Sequence, residues 1–87
     1  MSEQGRITTH FNLPAVRFEL QKHLGLQEPP SWAEIARDTQ LGYNTVIRIA
    51  TNTATRVELD TMARFAEYFN RRGLKVGIQD LIVMEIA

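Results

Sequence analysis

The stretch "IARDTQLGYNTVIRI", Ile35–Ile49, decides how this chain folds. Its first half offers Ile35 and Ala36 to an apolar face. Its second half sets Val46 and Ile49 three positions apart, with Leu41 between the halves. A helix brings residues three and four apart onto one side. The pattern therefore predicts two short helices, about Trp32–Thr39 and Tyr43–Ala50, with a sharp break between them. Ala36 is small where two such helices must approach closely, and Ile35, Leu41, Val46 and Ile49 supply the miniature core that the pair needs. The second helix keeps an outer face of Tyr43, Asn44, Ile47 and Arg48, in which an isoleucine exposed to solvent wants an explanation.

Outward from this stretch the chain is punctuated clearly. Ser31 precedes the first of the two helices and Glu34 follows three residues later, the Ser-x-x-Glu pattern of a capping box. Before it, "LQEPP" is a loop, because consecutive prolines disfavour helix. Further upstream, "NLPAVRFELQKHLG" reads as a helix that Asn12 can cap, Pro14 can open and Gly25 can stop. Leu13, Val16, Leu20 and Leu24 give it a buried stripe. Downstream, "TNTATR" is a polar loop, and a helix from about Leu59 to Asn70 turns Met62, Phe65, Ala66 and Phe69 inward. A short helical turn near Ile78–Leu81 follows the segment bracketed by Gly73 and Gly77. "RITTHF" (6–11) alternates weakly, and "LIVMEI" is apolar on both strand faces except at Glu85. These two segments are expected to pair antiparallel, as strands of about 6–11 and 82–86. The reading is a mainly α domain of five helices over residues 1–87, with a small terminal two-stranded β-sheet.

Composition excludes several classes. A chain of 87 residues supports one modest core, and 44% hydrophobic with 23% charged residues argues against wholesale disorder. The absence of cysteine removes disulfides, thiolate zinc sites and cysteine nucleophiles. No apolar run approaches the roughly 20 residues that span a bilayer, and "MSEQGRITTH" lacks a secretory pattern. No membrane association and a cytoplasmic location are expected. Ten basic residues against ten acidic ones give a formal net charge of zero, so a polyanionic partner would have to be met by local placement of arginines.

A break of about three or four residues between two short helices is the helix-turn-helix arrangement, whose second helix enters the DNA major groove. At this point "SWAEIARDTQLGYNTVIRIATNTATRVELDTMARFA" resembles the Cro and phage-repressor helix-turn-helix family, also called the XRE family. The resemblance rests on Glu34-Ile35-Ala36, Thr45-Val46, Arg48-Ile49 and Val57-Glu58-Leu59-Asp60-Thr61-Met62. It covers roughly residues 31 to 70. It implies a compact, repressor-like bundle of four or five helices that binds a palindromic operator in double-stranded DNA as a homodimer. The chain departs from the family at three places. Gln40 stands at the usual turn glycine, Gly42 at the usual serine or threonine cap, and Ala50-Thr51-Asn52-Thr53 where glutamate and an Asn-Gly-Lys loop are frequent.

By the same resemblance Tyr43, Asn44, Ile47 and Arg48 are base-reading candidates, and Trp32, Thr51, Thr53, Thr55 and Arg56 are DNA-backbone candidates. The spacing of 44, 47, 48 and 51 independently supports one exposed face. The chemistry suits base reading: arginine pairs with guanine, asparagine with adenine, and an aliphatic group meets a thymine methyl. Burial in a partner protein would explain Ile47 equally well. Trp32 could equally pack beside Pro30, and Arg48, Asn44 and Arg56 could be ordinary solvated residues. Arg71, Arg72 and Lys75 read as solvated surface, with lateral contact to a DNA backbone as the other option.

No catalytic residue, metal site or cofactor is expected. His10 and His23 have no further ligands patterned near them, and no nucleophile triad or glycine-rich phosphate loop stands out. The expectation is a sequence-specific DNA-binding transcriptional regulator, a repressor, associated with the nucleoid. The alternative is a protein-interaction module, an antitoxin or adaptor, that uses the same fold on a protein partner.

Overall fold

Ser31 and Gln40 set the limits of the decisive helix. The computed structural model describes residues 7–54 and 56–86; Arg6 and Thr55, named above, lie outside them. Helix α2 spans Trp32–Thr39 and helix α3 spans Tyr43–Ala50. Ser31 Oγ accepts the Glu34 N–H at 3.0 Å, which satisfies one of the amides that a helix start leaves open. At the other end Gln40 adopts φ 62° and ψ 30°. The Gln40 N–H then bonds the Arg37 carbonyl at 3.2 Å, and the Leu41 N–H bonds the Ala36 carbonyl at 3.1 Å. This is the Schellman closure, which needs one left-handed residue. A side chain in that conformation costs about 1 kcal/mol relative to glycine.

The same closure ends the other long helices. Helix α1 (Leu13–Leu24) stops at left-handed Gly25, and α4 (Leu59–Arg71) gives way to left-handed Gly73. After α3 the left-handed residue is Asn52, with φ 62°. Helix α5 (Ile78–Leu81) is a single turn, started by the Gly77 N–H donating to Asp80 Oδ2 at 2.8 Å.

Strands β1 (Ile7–Phe11) and β2 (Ile82–Ile86) form the antiparallel sheet, in register from Ile7↔Ile86 to Phe11↔Ile82. The molecule is thus a small, mainly α bundle of five helices with a terminal two-stranded sheet. Its core joins Leu13, Val16 and Leu20 of α1 to Ile35, Val46 and Ile49 of the helix pair, and to Met62, Phe65 and Phe69 of α4. Phe11 and Ile82 anchor the sheet against this core. No helix among the described residues is long and apolar enough to cross a membrane.

Four sequence expectations need correction. Leu24, assigned to the buried stripe of α1, is 43% exposed, because the chain turns away at Gly25. Leu41 is half-buried rather than buried, packed against the rim of the core. Ile47 is half-buried, so it is less exposed than the helix pattern suggests. Asn12 stands at the start of α1 without capping it; its side-chain amide donates instead to the Asp80 carbonyl at 3.4 Å.

Candidate nucleic-acid interface

Helix α3 buries Val46, Ile49 and Ala50 and turns Tyr43, Asn44 and Arg48 to solvent. Tyr43 is 53% exposed, which is high for an aromatic side chain. Gly42 precedes the helix in an extended conformation and supplies no side-chain cap. Among the described residues no side chain accepts from the first-turn N–H groups of α3. Among the described residues, the side chains of Tyr43, Asn44, Arg48 and Arg56 make no hydrogen bond within the protein. They are available to a partner.

The loop after α3 brings two of the candidates together. A cleft of about 670 Å³ lies between α3, this loop and the start of α4, and Arg48 and Arg56 both line it. Thr45, Thr53 and Thr61 contribute hydroxyls, and Glu58 is the only carboxylate among the lining residues. Sequence reasoning assigned Arg48 to bases and Arg56 to backbone; the structure places both on one cleft.

Thr51 and Thr53 have a different engagement from the one expected. The Thr51 hydroxyl donates to the Ile47 carbonyl at 2.7 Å, and the Thr53 hydroxyl donates to the Arg48 carbonyl at 3.3 Å. The two hydroxyls also lie 3.2 Å apart. Their protons are thus committed to the carbonyl end of α3, and in this arrangement each hydroxyl can offer a partner only its lone pairs. They hold the helix end; a phosphate would meet them as acceptors.

Trp32 is half-buried at the start of α2, and its ring carries a cation that the sequence reading did not single out. The Arg17 guanidinium lies 4.2 Å from the ring centroid, and its Nε donates to the Pro30 carbonyl at 2.6 Å. Stacking of this kind holds a cation without neutralising it. The pairing joins α1 to the loop before α2, thirteen residues on in the case of Pro30, and no local pattern announces it.

The arginines divide by location. Arg37 and Arg72 pair with Asp38 at 3.3 and 2.7 Å, Arg64 with Asp60 at 2.9 Å, and Arg71 with Glu67 at 3.2 Å. All four pairs lie on α2, on α4 or just after α4. Arg17, Arg48 and Arg56 have no carboxylate within 4.0 Å among the described residues. Zero net charge therefore coexists with two arginines beside α3, Arg48 and Arg56, that make no ion pair among the described residues. The guanidiniums of Arg71 and Arg72 are held by Glu67 and Asp38, which favours the solvated reading of that cluster.

On α4, Tyr68 is buried and its hydroxyl has no hydrogen-bond partner among the described residues. Burial pushes this phenol above its ordinary value of 10.0, and the Arg72 guanidinium stacked 3.7 Å from the ring centroid works in the opposite direction. Compared with protein-family models, curated proteins and solved structures, the chain matches none of them.

Proposed function

We propose that this chain is a sequence-specific DNA-binding transcriptional regulator, a repressor similar in kind to the Cro and phage-repressor family. It reads the major groove with α3 and acts in the cytoplasm, associated with the nucleoid. The observation that carries the reading is the division of the arginines. Arg37, Arg64, Arg71 and Arg72 are held by three carboxylates, Asp38 being shared by two of them, whereas Arg48 and Arg56 share one open cleft without an ion pair among the described residues. Guanidinium groups left unpaired beside an exposed helix suit bidentate contacts to guanine and to phosphate. In this reading Arg48 and Asn44 address base edges, Tyr43 and Ile47 make apolar contacts in the groove, and Arg56 and Arg17 meet the backbone.

One recognition helix reads only a few base pairs, so a homodimer on a palindromic operator is part of the proposal. The terminal sheet supports it. Both the N–H and the carbonyl of Phe11 face Asn52 and so point away from β2. By antiparallel alternation the outward backbone groups of β2 then belong to Ile82, Met84 and Ile86. Among the described residues no hydrogen bond takes up these outward groups, and Met84 on the same strand is 64% exposed. A second copy can add there.

Selection of bound sequences from random DNA at low and at moderate salt tests the reading. Enrichment of a two-fold symmetric site at both salts is the expected result. Binding only at low salt without enrichment would favour the protein-interaction alternative, to which exposed Tyr43 beside half-buried Ile47 lends a specific surface.

A further inference from the structure

The turn after α3 has two structural jobs. Its backbone closes the helix: the Asn52 N–H bonds the Ile49 carbonyl at 3.3 Å, and the Thr53 N–H bonds the Arg48 carbonyl at 2.8 Å. The Asn52 side chain meanwhile reaches 41 residues back to β1, where its Oδ1 accepts the Phe11 N–H and its Nδ2 donates to the Phe11 carbonyl at 3.3 Å. A carboxamide offers an acceptor and a donor side by side, so this one residue occupies the position of a third strand at the bundle end of the sheet. Among the described residues no other hydrogen bond joins the turn to the sheet.

Helix closure alone does not explain an asparagine here. The left-handed position needs only a backbone: Gly25 and Gly73 take it after α1 and α4, and Gln40 takes it after α2 with no side-chain hydrogen bond among the described residues, whereas the Asn52 side chain reaches another element. Asparagine tolerates the conformation better than most residues, and at φ 62° its side chain is aimed at β1. A glycine would end α3 equally well and leave the edge of β1 unbound. What the side chain adds is a direct hydrogen-bonded link between the end of α3 and β1, beside the packing of Phe11 and Ile82 on the core.

We propose that Asn52 is a positioning residue that sets the orientation of α3 relative to the terminal sheet. In a dimer built on that sheet, it thereby sets the separation of the two recognition helices. The proposal rests on the DNA-binding reading above. Its consequence is that half-site spacing on DNA, and not base choice within a half-site, depends on Asn52.

The test uses the full chain and synthetic palindromes whose half-sites, taken from the selected sequence, are moved apart one base pair at a time around about one helical turn. Asn52→Gly keeps the left-handed backbone and removes both bonds to Phe11. Asn52→Asp keeps an acceptor for the Phe11 N–H and loses the donor. The native chain is expected to prefer one spacing by tenfold or more. Asn52→Gly should bind an isolated half-site as the native chain does and show a flattened spacing profile, with Asn52→Asp between them. Amide exchange provides a readout without DNA: the Phe11 N–H should exchange about tenfold faster in Asn52→Gly, while the Leu20 amide in the core is unchanged. A native spacing profile in Asn52→Gly overturns the proposal and leaves the DNA reading standing. So does a native chain that selects a sequence but is indifferent to spacing. A native chain that selects no DNA overturns both.

Discussion

At the scale of single residues, the two arginines that share the cleft should separate by function. Arg48→Ala is expected to cost about 1–3 kcal/mol on the best operator and to relax preference at one base pair. Arg56→Ala should weaken binding to every sequence and flatten its salt dependence. Titrations at several salt concentrations distinguish the two, and operator binding indifferent to Arg48→Ala in a folded mutant would move the reading to a protein partner. Tyr68 makes an independent prediction about stability. Its folded-state value is raised, so the neutral phenol contributes fully below the unfolded value of 10.0 and its contribution is lost as pH rises through the folded value. Tyr68→Phe should therefore remove part of the alkaline destabilisation above pH 10.0. It should cost little at neutral pH, because the hydroxyl it deletes is unpartnered. Urea unfolding at pH 7 and at pH 11 measures both effects. The family resemblance and the face pattern point to Arg48, Asn44 and Tyr43 from the sequence, and all three side chains are exposed. The Arg17 stack on Trp32 and the Asn52 clamp on Phe11 were not legible. Both are contacts between remote segments, and no periodicity encodes which loop a side chain will meet.

Among the elements, legibility followed punctuation. Ser31 and the prolines before it fix the start of α2, Gly25 ends α1, and the helix pair occupies the residues that its apolar spacing indicated. Where punctuation was indirect the reading slipped. Leu24 fits the spacing of the α1 stripe, yet it is the last residue of the helix, next to the Gly25 closure that diverts the chain, and it ends exposed. That closure also identifies a suboptimal residue. Gln40 holds φ 62° with its side chain exposed and without a hydrogen bond among the described residues. Gln40→Gly should raise stability by about 0.5–1 kcal/mol, read as a higher urea midpoint with an unchanged slope. A loss of stability would mean that the glutamine side chain contributes to the turn in a way its geometry does not reveal.

For the whole molecule, zero net charge was the least informative number in the sequence, because charge acts through its distribution. Four ion pairs made by three carboxylates hold the arginines on and around α2 and α4, whereas Arg48 and Arg56 beside α3 make no ion pair among the described residues. Antiparallel pairing of the terminal segments was legible because both alternate or run apolar; what adds to their free edge was not. Met84 tests that point, being 64% exposed on β2. Met84→Lys should leave the fold intact and place a charge on the proposed contact. Sedimentation at micromolar concentration should then give a monomer for the variant and a dimer for the native chain. A native chain that stays monomeric on a palindromic site would end the homodimer proposal.

The sheet that joins residue 7 to residue 86 also has a consequence for how the molecule comes into being. Closing so long a stretch of chain has a high entropic cost unless the intervening helices have already drawn the ends together. The bundle should therefore form first and the strands zip last. A nascent chain would complete its helix pair before β2 has been synthesised, and so before β1 has a strand to pair with. In kinetic terms the sheet belongs to the late side of the folding barrier. Val83→Ala should accelerate unfolding and leave the refolding rate nearly unchanged in stopped-flow experiments, a φ-value near zero, whereas core truncation at Phe65 should slow refolding.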